Sequence, residues 1–287
     1  MAIEIARESF RLPRAIEPGV EIFAVGDIHG RVDLLDALLD FAEAEPREAP
    51  VRRIVFLGDL IDRGPDSLGA LDLAIEAGER VGAVETIGLM GNHETMMRLT
   101  LDRATPERVA IDALKTWSAN GGDRVLAQFA AAGRPLETLG ELRAAAMASL
   151  PSRIERWLGD LRPHARSGDL LFVHAGVHPR IRVESFLATP WNVPLSRVDE
   201  NLHWAWIRAP FLDHQPGPRG WDGAFAVHGH TPGDGRANAS HADQIRRFRL
   251  NLDGGSAVTG VARMGIFRGD GVEVISARGP AGRMTRG

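Results

Sequence analysis

Gly58-Asp59-Leu60-Ile61-Asp62-Arg63-Gly64, directly behind the apolar run Ile54-Val55-Phe56-Leu57, is the stretch on which the reading of this chain turns. The run is short, rich in β-branched residues and bounded by polar ones, so it reads as a buried strand. Its end delivers two carboxylates and a guanidinium into one loop, and a loop held by a rigid strand is a good place for chemistry. The functional reading gives Asp59 to a metal, Asp62 to orienting a histidine and Arg63 to gripping a phosphate. Taken alone, a polar turn with a solvated Asp–Arg pair explains the stretch better. The rest of the chain reverses that preference, because the pattern of strand followed by ligand-rich loop recurs four more times.

Outward from this stretch the order is regular. Residues 1 to 20 lack periodicity and read as a lead-in. Ile22-Phe23-Ala24-Val25 reads as a strand ending in Gly26-Asp27-Ile28-His29-Gly30, and Leu34, Leu35, Leu38, Leu39 and Ala42 recur at helical spacing up to Pro46. After the central loop a helix is expected from Ser67 to Ala77, with Gly78 as its stop. A third strand is expected over Val81–Leu89, ending in Gly91-Asn92-His93-Glu94. Alternating strands and helices imply an α/β fold with a mostly parallel sheet.

From about 95 to 160 no strand is evident, and Thr105-Pro106, Gly133, Pro135 and Pro151 punctuate helices. This is read as a helical insertion beside the site. Within it, Trp117-Ser118-Ala119-Asn120-Gly121-Gly122 can bring backbone amides close to something, although an ordinary interhelical turn explains it better. Leu170-Leu171-Phe172-Val173 reads as a strand ending in His174-Ala175-Gly176, with a hairpin over Ser167-Gly168-Asp169. A variable region from 179 to 220 carries a helix from Arg197 to Ile207 behind Ser196. Trp191, Trp204, Trp206 and Trp221 in and after it are assigned to a small satellite core. Phe225-Ala226-Val227 leads into His228-Gly229-His230-Thr231, and Arg249 to Ser276 reads as antiparallel strands around an Arg268–Gly271 turn. The expectation is one domain over 21–278 with a short tail, 279–287.

Composition narrows the function classes. With 287 residues and 44% hydrophobic content the chain can fill a sizeable core. The absence of cysteine excludes disulfides, thiolate metal sites and a cysteine nucleophile. No window approaches the roughly eighteen apolar residues of a membrane span, and Met1 to Pro13 does not look like a leader, so a cytoplasmic location with no membrane partner is expected. A net charge of −4 argues against sequence-independent nucleic-acid binding. Nearly all the positive charge is arginine, with Lys115 the only lysine, which suits phosphate recognition or reflects a composition bias.

The loops can be read together. Asp27 and His29, two apart in extended chain, would point to one side and reach one ion. Adjacent Asn92 and His93 would diverge, so that Asn92 can ligate while His93 faces a substrate. Aspartate, asparagine and histidine without sulfur suit Mn²⁺, Fe or Zn²⁺. Asp59, from a central strand, is the natural bridge between two ions about 3.5–4 Å apart. Any one of these histidines alone is better explained as a satisfied polar residue; the ordered conjunction is not.

Gly-Asp-x-His-Gly, Gly-Asp-x-x-Asp-Arg-Gly, Gly-Asn-His-Glu, His-Ala-Gly and Gly-His-Thr in this order resemble the calcineurin-type metallophosphoesterases. The Asp-Arg-Gly and Gly-Asn-His-Glu forms resemble the phosphoprotein phosphatase branch. Trp117 with Asn120-Gly121-Gly122, Trp206-Ile207-Arg208 and Asn251-Leu252-Asp253-Gly254-Gly255 are similar to bacterial and phage serine/threonine phosphatases. The resemblance implies a four-layer αββα sandwich with two divalent metals, manganese first and iron or zinc next, at the carboxyl ends of the strands. It assigns Asp27, His29 and Asp59 to one metal, and Asp59, Asn92, His174 and His230 to the other. His228 becomes a supporting residue, Asn120 a possible contact, Arg63 and Arg208 phosphate ligands, and His93 with Asp62 the proton donor.

The mechanism expected from this set is in-line attack by a metal-bridging hydroxide. The expected substrate is a phosphorylated protein or small phosphoester. Hydrolysis of dinucleoside polyphosphates or RNA caps is the alternative, and Asp62 tilts against it, since bacterial diadenosine-tetraphosphate hydrolases usually lack an acid there. A non-catalytic metal-binding scaffold is a remote third. The chain has no tyrosine, so the active-site tyrosine of the eukaryotic branch has no counterpart.

Overall fold

The computed structural model describes residues 2–130, 136–235 and 240–282. Two sheets face each other. The larger has six strands in the order β1-β10-β9-β2-β3-β4 and the smaller four in the order β5-β6-β7-β8. In the larger sheet, β2 (Val20–Val25), β3 (Val51–Phe56) and β4 (Glu85–Gly88) run parallel, while β9 (Val261–Arg268), β10 (Gly271–Arg278) and β1 (Glu4–Arg11) add on antiparallel. In the smaller sheet β5 (His164–Ser167) forms a hairpin with β6 (Leu170–Val173), and β7 (Phe225–His228) and β8 (Arg249–Asn251) follow in parallel.

The alternation of side chains along each strand explains why two cores form. From β2 and β3 and the residue after it, Ile22, Ala24, Val55 and Leu57 enter the core between the sheets, where Leu170, Phe172, Phe225, Val227 and Leu250 come from the other side. Phe23, Val25, Ile54 and Phe56 point the other way and pack with Leu34, Leu35, Leu38 and Leu39 of α1 (Val32–Ala44) and with Ala70, Leu71 and Ala74 of α2 (Ser67–Arg80). Phe172 and Phe267 meet edge-on across the sheets at 5.5 Å. Helices thus cover sheet faces on the outside of a double-sheet core.

The helical insertion comprises α3 (Asn92–Leu101), α4 (Glu107–Trp117), a wide turn (Ser118–Gly122), α5 (Asp123–Phe129), α6 (Leu139–Ser149) and α7 (Ser152–Asp160), with no strand among its described residues. The breaks expected at Gly133 and Pro135 lie outside the described residues. No helix among the described residues is long and apolar enough to cross a membrane.

Several expectations are corrected. The lead-in contains an edge strand, β1, paired with β10 from the other end of the chain. Its faces are mostly exposed, so no alternating pattern marks it. The sheet is mixed rather than mostly parallel, and β8 joins the second sheet in parallel instead of the terminal antiparallel group. The third strand is confined to Glu85–Gly88, and α2 runs through Gly78 to Arg80. Arg197–Ile207 is not a helix: short 3-10 turns at Leu195–Arg197 and Glu200–Leu202 precede a tight turn. Trp204, Trp206 and Trp221 are buried in the main helix-side core, not in a satellite, and Trp191 packs against it under the guanidinium of Arg98, 4.1 Å from the ring. Residues 283–287 of the expected tail lie outside the described residues, and α8 (Val183–Leu187) and α9 (Ala209–Leu212) are the helices of the variable region.

Candidate metal centre

Six strand ends converge. The loops after β2, β3 and β4 carry Asp27 and His29, Asp59 to Arg63, and Asn92 and His93; those after β6, β7 and β8 carry His174, His230 and Asp253. Asp27, His29, Asp59, Asp62, Asn92, His93, His174 and His230 are all buried. Among the described residues seven non-glycine residues have positive φ, and His29 (+48°), Asp59 (+53°), Asp62 (+75°), Arg63 (+65°) and His230 (+70°) are five of them. Strain of this kind persists only where the surroundings over-determine it. His29 lies in a turn, so the extended-chain argument that joined it to Asp27 does not hold even though the two residues share the site.

Asp59 stands at the centre. His29, Asp59 and His93 offer donor atoms within 4.8 Å of one another, and so do Asp59, His174 and His230. The imidazoles are aimed by their outer nitrogens. His29 Nδ1 donates to the Ile61 carbonyl (2.7 Å), His174 Nδ1 to that of Leu57 (2.9 Å) and His230 Nε2 to that of Trp206 (3.2 Å). Each inner nitrogen therefore carries a lone pair directed inwards. The Asn92 oxygen lies 2.9 Å from His230 Nδ1 and 3.2 Å from His174 Nε2. Acceptors thus crowd onto acceptors around Asp59, an arrangement that a cation would satisfy.

The electrostatics point the same way. Burial lowers His29, His174 and His230 below their ordinary values, which favours the neutral imidazole that metal ligation requires; on His29 the inner nitrogen meets the Arg63 guanidinium in the structure. Burial alone would raise Asp59, but its attraction to the protonated forms of the histidines around it outweighs that and holds the carboxyl far below its usual range. Asp27 is pushed well up by burial and by the Asp253 and Asp59 carboxylates, and its oxygens accept the His230 backbone N–H at 3.1 and 3.0 Å. Neutral imidazoles, carboxylates and an amide oxygen, with no sulfur, fit a hard or borderline divalent ion.

His93 differs from the other histidines. Its Nδ1 bonds to Asp62 Oδ2 at 2.5 Å, and Nε2 has no hydrogen-bond partner among the described residues. Burial lowers its basicity, but Asp59 and Asp62 outweigh that and hold the imidazole above its ordinary value. Arg63 Nη1 lies 2.7 Å from His29 Nε2, inside the same pocket. Arg208 is half exposed and 3.7 Å from Glu200, yet close enough to lower His174 and His230. His228 is buried on β7, its ring edge-on to Phe211 at 4.9 Å. Asn120 is exposed, its amide donating to the Thr116 carbonyl at 2.7 Å, which is a role in its own helix end.

Three supporting residues, quoted in the motifs without a role, take one here. Glu94 accepts N–H groups from Asp59 (2.9 Å), Leu60 (2.8 Å) and Gly91 (3.0 Å), while Asp59 Oδ1 accepts the His93 N–H at 3.1 Å. The Glu94 bond to the Gly91 N–H is the glutamate half of a capping box, and a glutamate at that place in a helix's first turn was there to be read. Trp117 donates its indole N–H to both Asp62 oxygens, at 2.9 and 2.8 Å, across 55 residues of sequence that carry no pairing signal. Asp253, held up to about 6 by burial, faces Asp27 from the Asn251–Gly255 loop.

A family model described as calcineurin-like phosphoesterase matches residues 20–260. Serine/threonine-protein phosphatase 1 of Salmonella typhimurium is 36% identical over 118 residues, 40% of this chain and 46% of that protein. The symmetrical bis(5'-nucleosyl)-tetraphosphatase of an Acidovorax species is 32% identical over 168 residues, 58% of this chain and 48% of that protein. The matched segments thus span about half the length of these curated relatives. Among solved structures, the cold-active protein-tyrosine phosphatase of a psychrophilic Shewanella species superposes with a TM-score of 0.51 at 19% identity, covering 88% of this chain and 81% of that one, a likeness of fold.

Proposed function

Because the chain belongs to the calcineurin-like phosphoesterase family, we propose that it is a two-metal phosphomonoester hydrolase acting on phosphoserine or phosphothreonine in proteins. Asp27, His29 and Asp59 would hold one ion, and Asp59, Asn92, His174 and His230 the other. Manganese is the first choice and iron or zinc the next. When bound, such a pair supplies the Lewis acidity that makes water a nucleophile near neutral pH.

The chain's own residues do the rest. Arg63 and Arg208 grip the phosphate oxygens and hold phosphorus in line. As the water oxygen bonds to phosphorus, the bond from phosphorus to the alcohol oxygen breaks, and the Nε2 proton of His93 passes to that oxygen. The products are the free alcohol and inorganic phosphate. A phosphoprotein substrate would put this work in the cytoplasm.

The observation that carries the reading is the Asp62–His93 pair, buried, 2.5 Å apart, with Nε2 left unbonded among the described residues. A poor leaving group such as a serine or threonine alkoxide needs a proton, and this pair is built to give one. Substrate choice would fall to a groove of about 360 Å³ between α4 and the variable region, lined by Asp112, Lys115, Leu195, Glu200 and Trp206.

Hydrolysis of dinucleoside polyphosphates is the second reading, favoured by the tetraphosphatase relative, whose match is longer than that of the protein phosphatase. Metal-stripped protein refilled with Mn²⁺, given a phosphothreonine peptide and diadenosine tetraphosphate side by side, separates the two. Faster phosphate release from the peptide is expected. Preference for the dinucleotide would keep the chemistry and overturn the substrate.

A further inference from the structure

The turn Trp117-Ser118-Ala119-Asn120-Gly121-Gly122 has no part in the chemistry above, yet it touches two residues that do. The Trp117 indole is fully buried and forks onto both oxygens of Asp62. Four residues on, the Gly121 carbonyl accepts the Arg63 backbone N–H at 3.0 Å. Gly121 sits at φ +100°, and a Cβ there would lie 2.7 Å from Arg63 Cγ, so only glycine allows this approach. A Cβ on Gly122 would lie 2.5 Å from the indole nitrogen. One turn therefore holds the side chain of Asp62 and the backbone of Arg63, two consecutive residues in left-handed conformations that their own strand does not enforce.

We propose that Trp117 is a positioning residue for the Asp62–His93 proton donor and that the glycine turn behind it positions Arg63, so that the helical insertion sets the geometry of leaving-group protonation. This rests on the phosphomonoesterase reading. A carboxylate bonded only to His93 could swing about its Cα–Cβ and Cβ–Cγ bonds and lose the imidazole; the forked hydrogen bond from a packed indole N–H fixes its plane. The donor is neutral, which matters as much as its position. An arginine or lysine here would compensate the Asp62 charge and weaken its pull on the Nδ1 proton, whereas an indole orients the carboxylate and leaves its charge to His93.

Trp117→Phe keeps most of the ring volume and removes the N–H. Turnover of phenyl phosphate is expected to fall about 10–100-fold, as for other lost supporting bonds, while p-nitrophenyl phosphate, whose leaving group needs no proton, changes by less than about threefold. In a His93→Asn background the same substitution is expected to cost nothing further on phenyl phosphate. Proton NMR of the metal-free protein gives a readout independent of turnover: the far-downfield His93 Nδ1–H resonance is expected in the parent and displaced in Trp117→Phe. Gly121→Ala, which disturbs Arg63 and not Asp62, should raise KM for both substrates and leave that resonance in place.

Equal losses on both substrates, an added loss in the His93→Asn background or an unmoved resonance would overturn the assignment. Should Trp117→Phe not fold, a leaving-group-dependent loss in Gly121→Ala would overturn it too, and a KM effect common to both substrates would support it. An inactive parent protein would count against the phosphomonoesterase reading, with the resonance still deciding the positioning role.

Discussion

Asp59 turns its backbone to φ +53° and places its carboxylate among four histidines. A non-glycine residue does not hold that conformation unaided, and the Glu94 carboxylate supplies the hold by accepting the N–H groups of Asp59, Leu60 and Gly91. Gly91 must be a glycine for this to work, since a Cβ there would lie 2.1 Å from Asp59 Oδ1. Replacing Glu94 by Gln turns one acceptor into a donor facing an N–H. We expect Glu94→Gln to weaken Mn²⁺ binding about 10–100-fold, read by isothermal titration on metal-stripped protein; unchanged affinity would remove Glu94 from the support of Asp59. At this scale the sequence was most informative. Glycine-flanked Asp and His behind apolar runs pointed to the four histidines and to Asp27 beside Asp59. It named Trp117 and Asp253 but was silent on their roles, because a contact between distant residues has no local spacing to betray it.

At the scale of elements, periodicity located what is half buried and failed on what is wholly exposed or irregular. Helix α1 was legible because Leu34, Leu35, Leu38, Leu39 and Ala42 form one buried face. Strand β1 was not, since exposure on both faces erases the alternation and its partner lies at the far end of the chain. Around Arg197–Ile207 a cap-like Ser196 suggested a helix, but the segment is held by short turns and by burial of Trp204 and Trp206. Gly78 was read as a stop signal, whereas it lets α2 lie close on β4: an added Cβ would fall 2.1 Å from Thr86 Oγ1. Gly78→Ala is therefore expected to destabilise by about 1–3 kcal/mol despite alanine's better helix propensity. Thermal unfolding checks it, and Thr86→Ala in the same chain should restore most of the loss; a Gly78→Ala protein more stable than the parent would contradict the close-packing account.

Three neighbouring strands of the larger sheet, β9, β2 and β3, are tied together far from the site by Glu21, which is buried between Arg52 (2.7 Å) and Arg268 (3.0 Å). Burial alone would raise its carboxyl, and the two guanidiniums outweigh it, leaving the folded value below the ordinary 4.5. The unfolded chain therefore takes up the proton first as pH falls. Stability from this group is complete above pH 4.5 and is lost as pH drops through the lower folded value. The gap in melting temperature between the parent and Glu21→Gln should accordingly narrow from pH 6 to pH 3, and a constant gap would mean that the pair does not couple folding to protonation. The overall architecture was legible because five strand–loop units recur in order, while the mixed order of the larger sheet was not, since edge pairing is decided by tertiary packing.

In the proposed mechanism Asp59 joins two metal sites whose ions the reaction requires. The most direct measurement is metal content and phosphate release, on a phosphothreonine peptide, of metal-stripped protein titrated with Mn²⁺, in parallel for the parent and for Asp59→Asn. Two ions per chain are expected, with release rising as they load, and loss of both ions together with activity is expected in Asp59→Asn. Release that needs no metal, or an Asp59→Asn protein that still loads two ions with the parent's affinity, would contradict it.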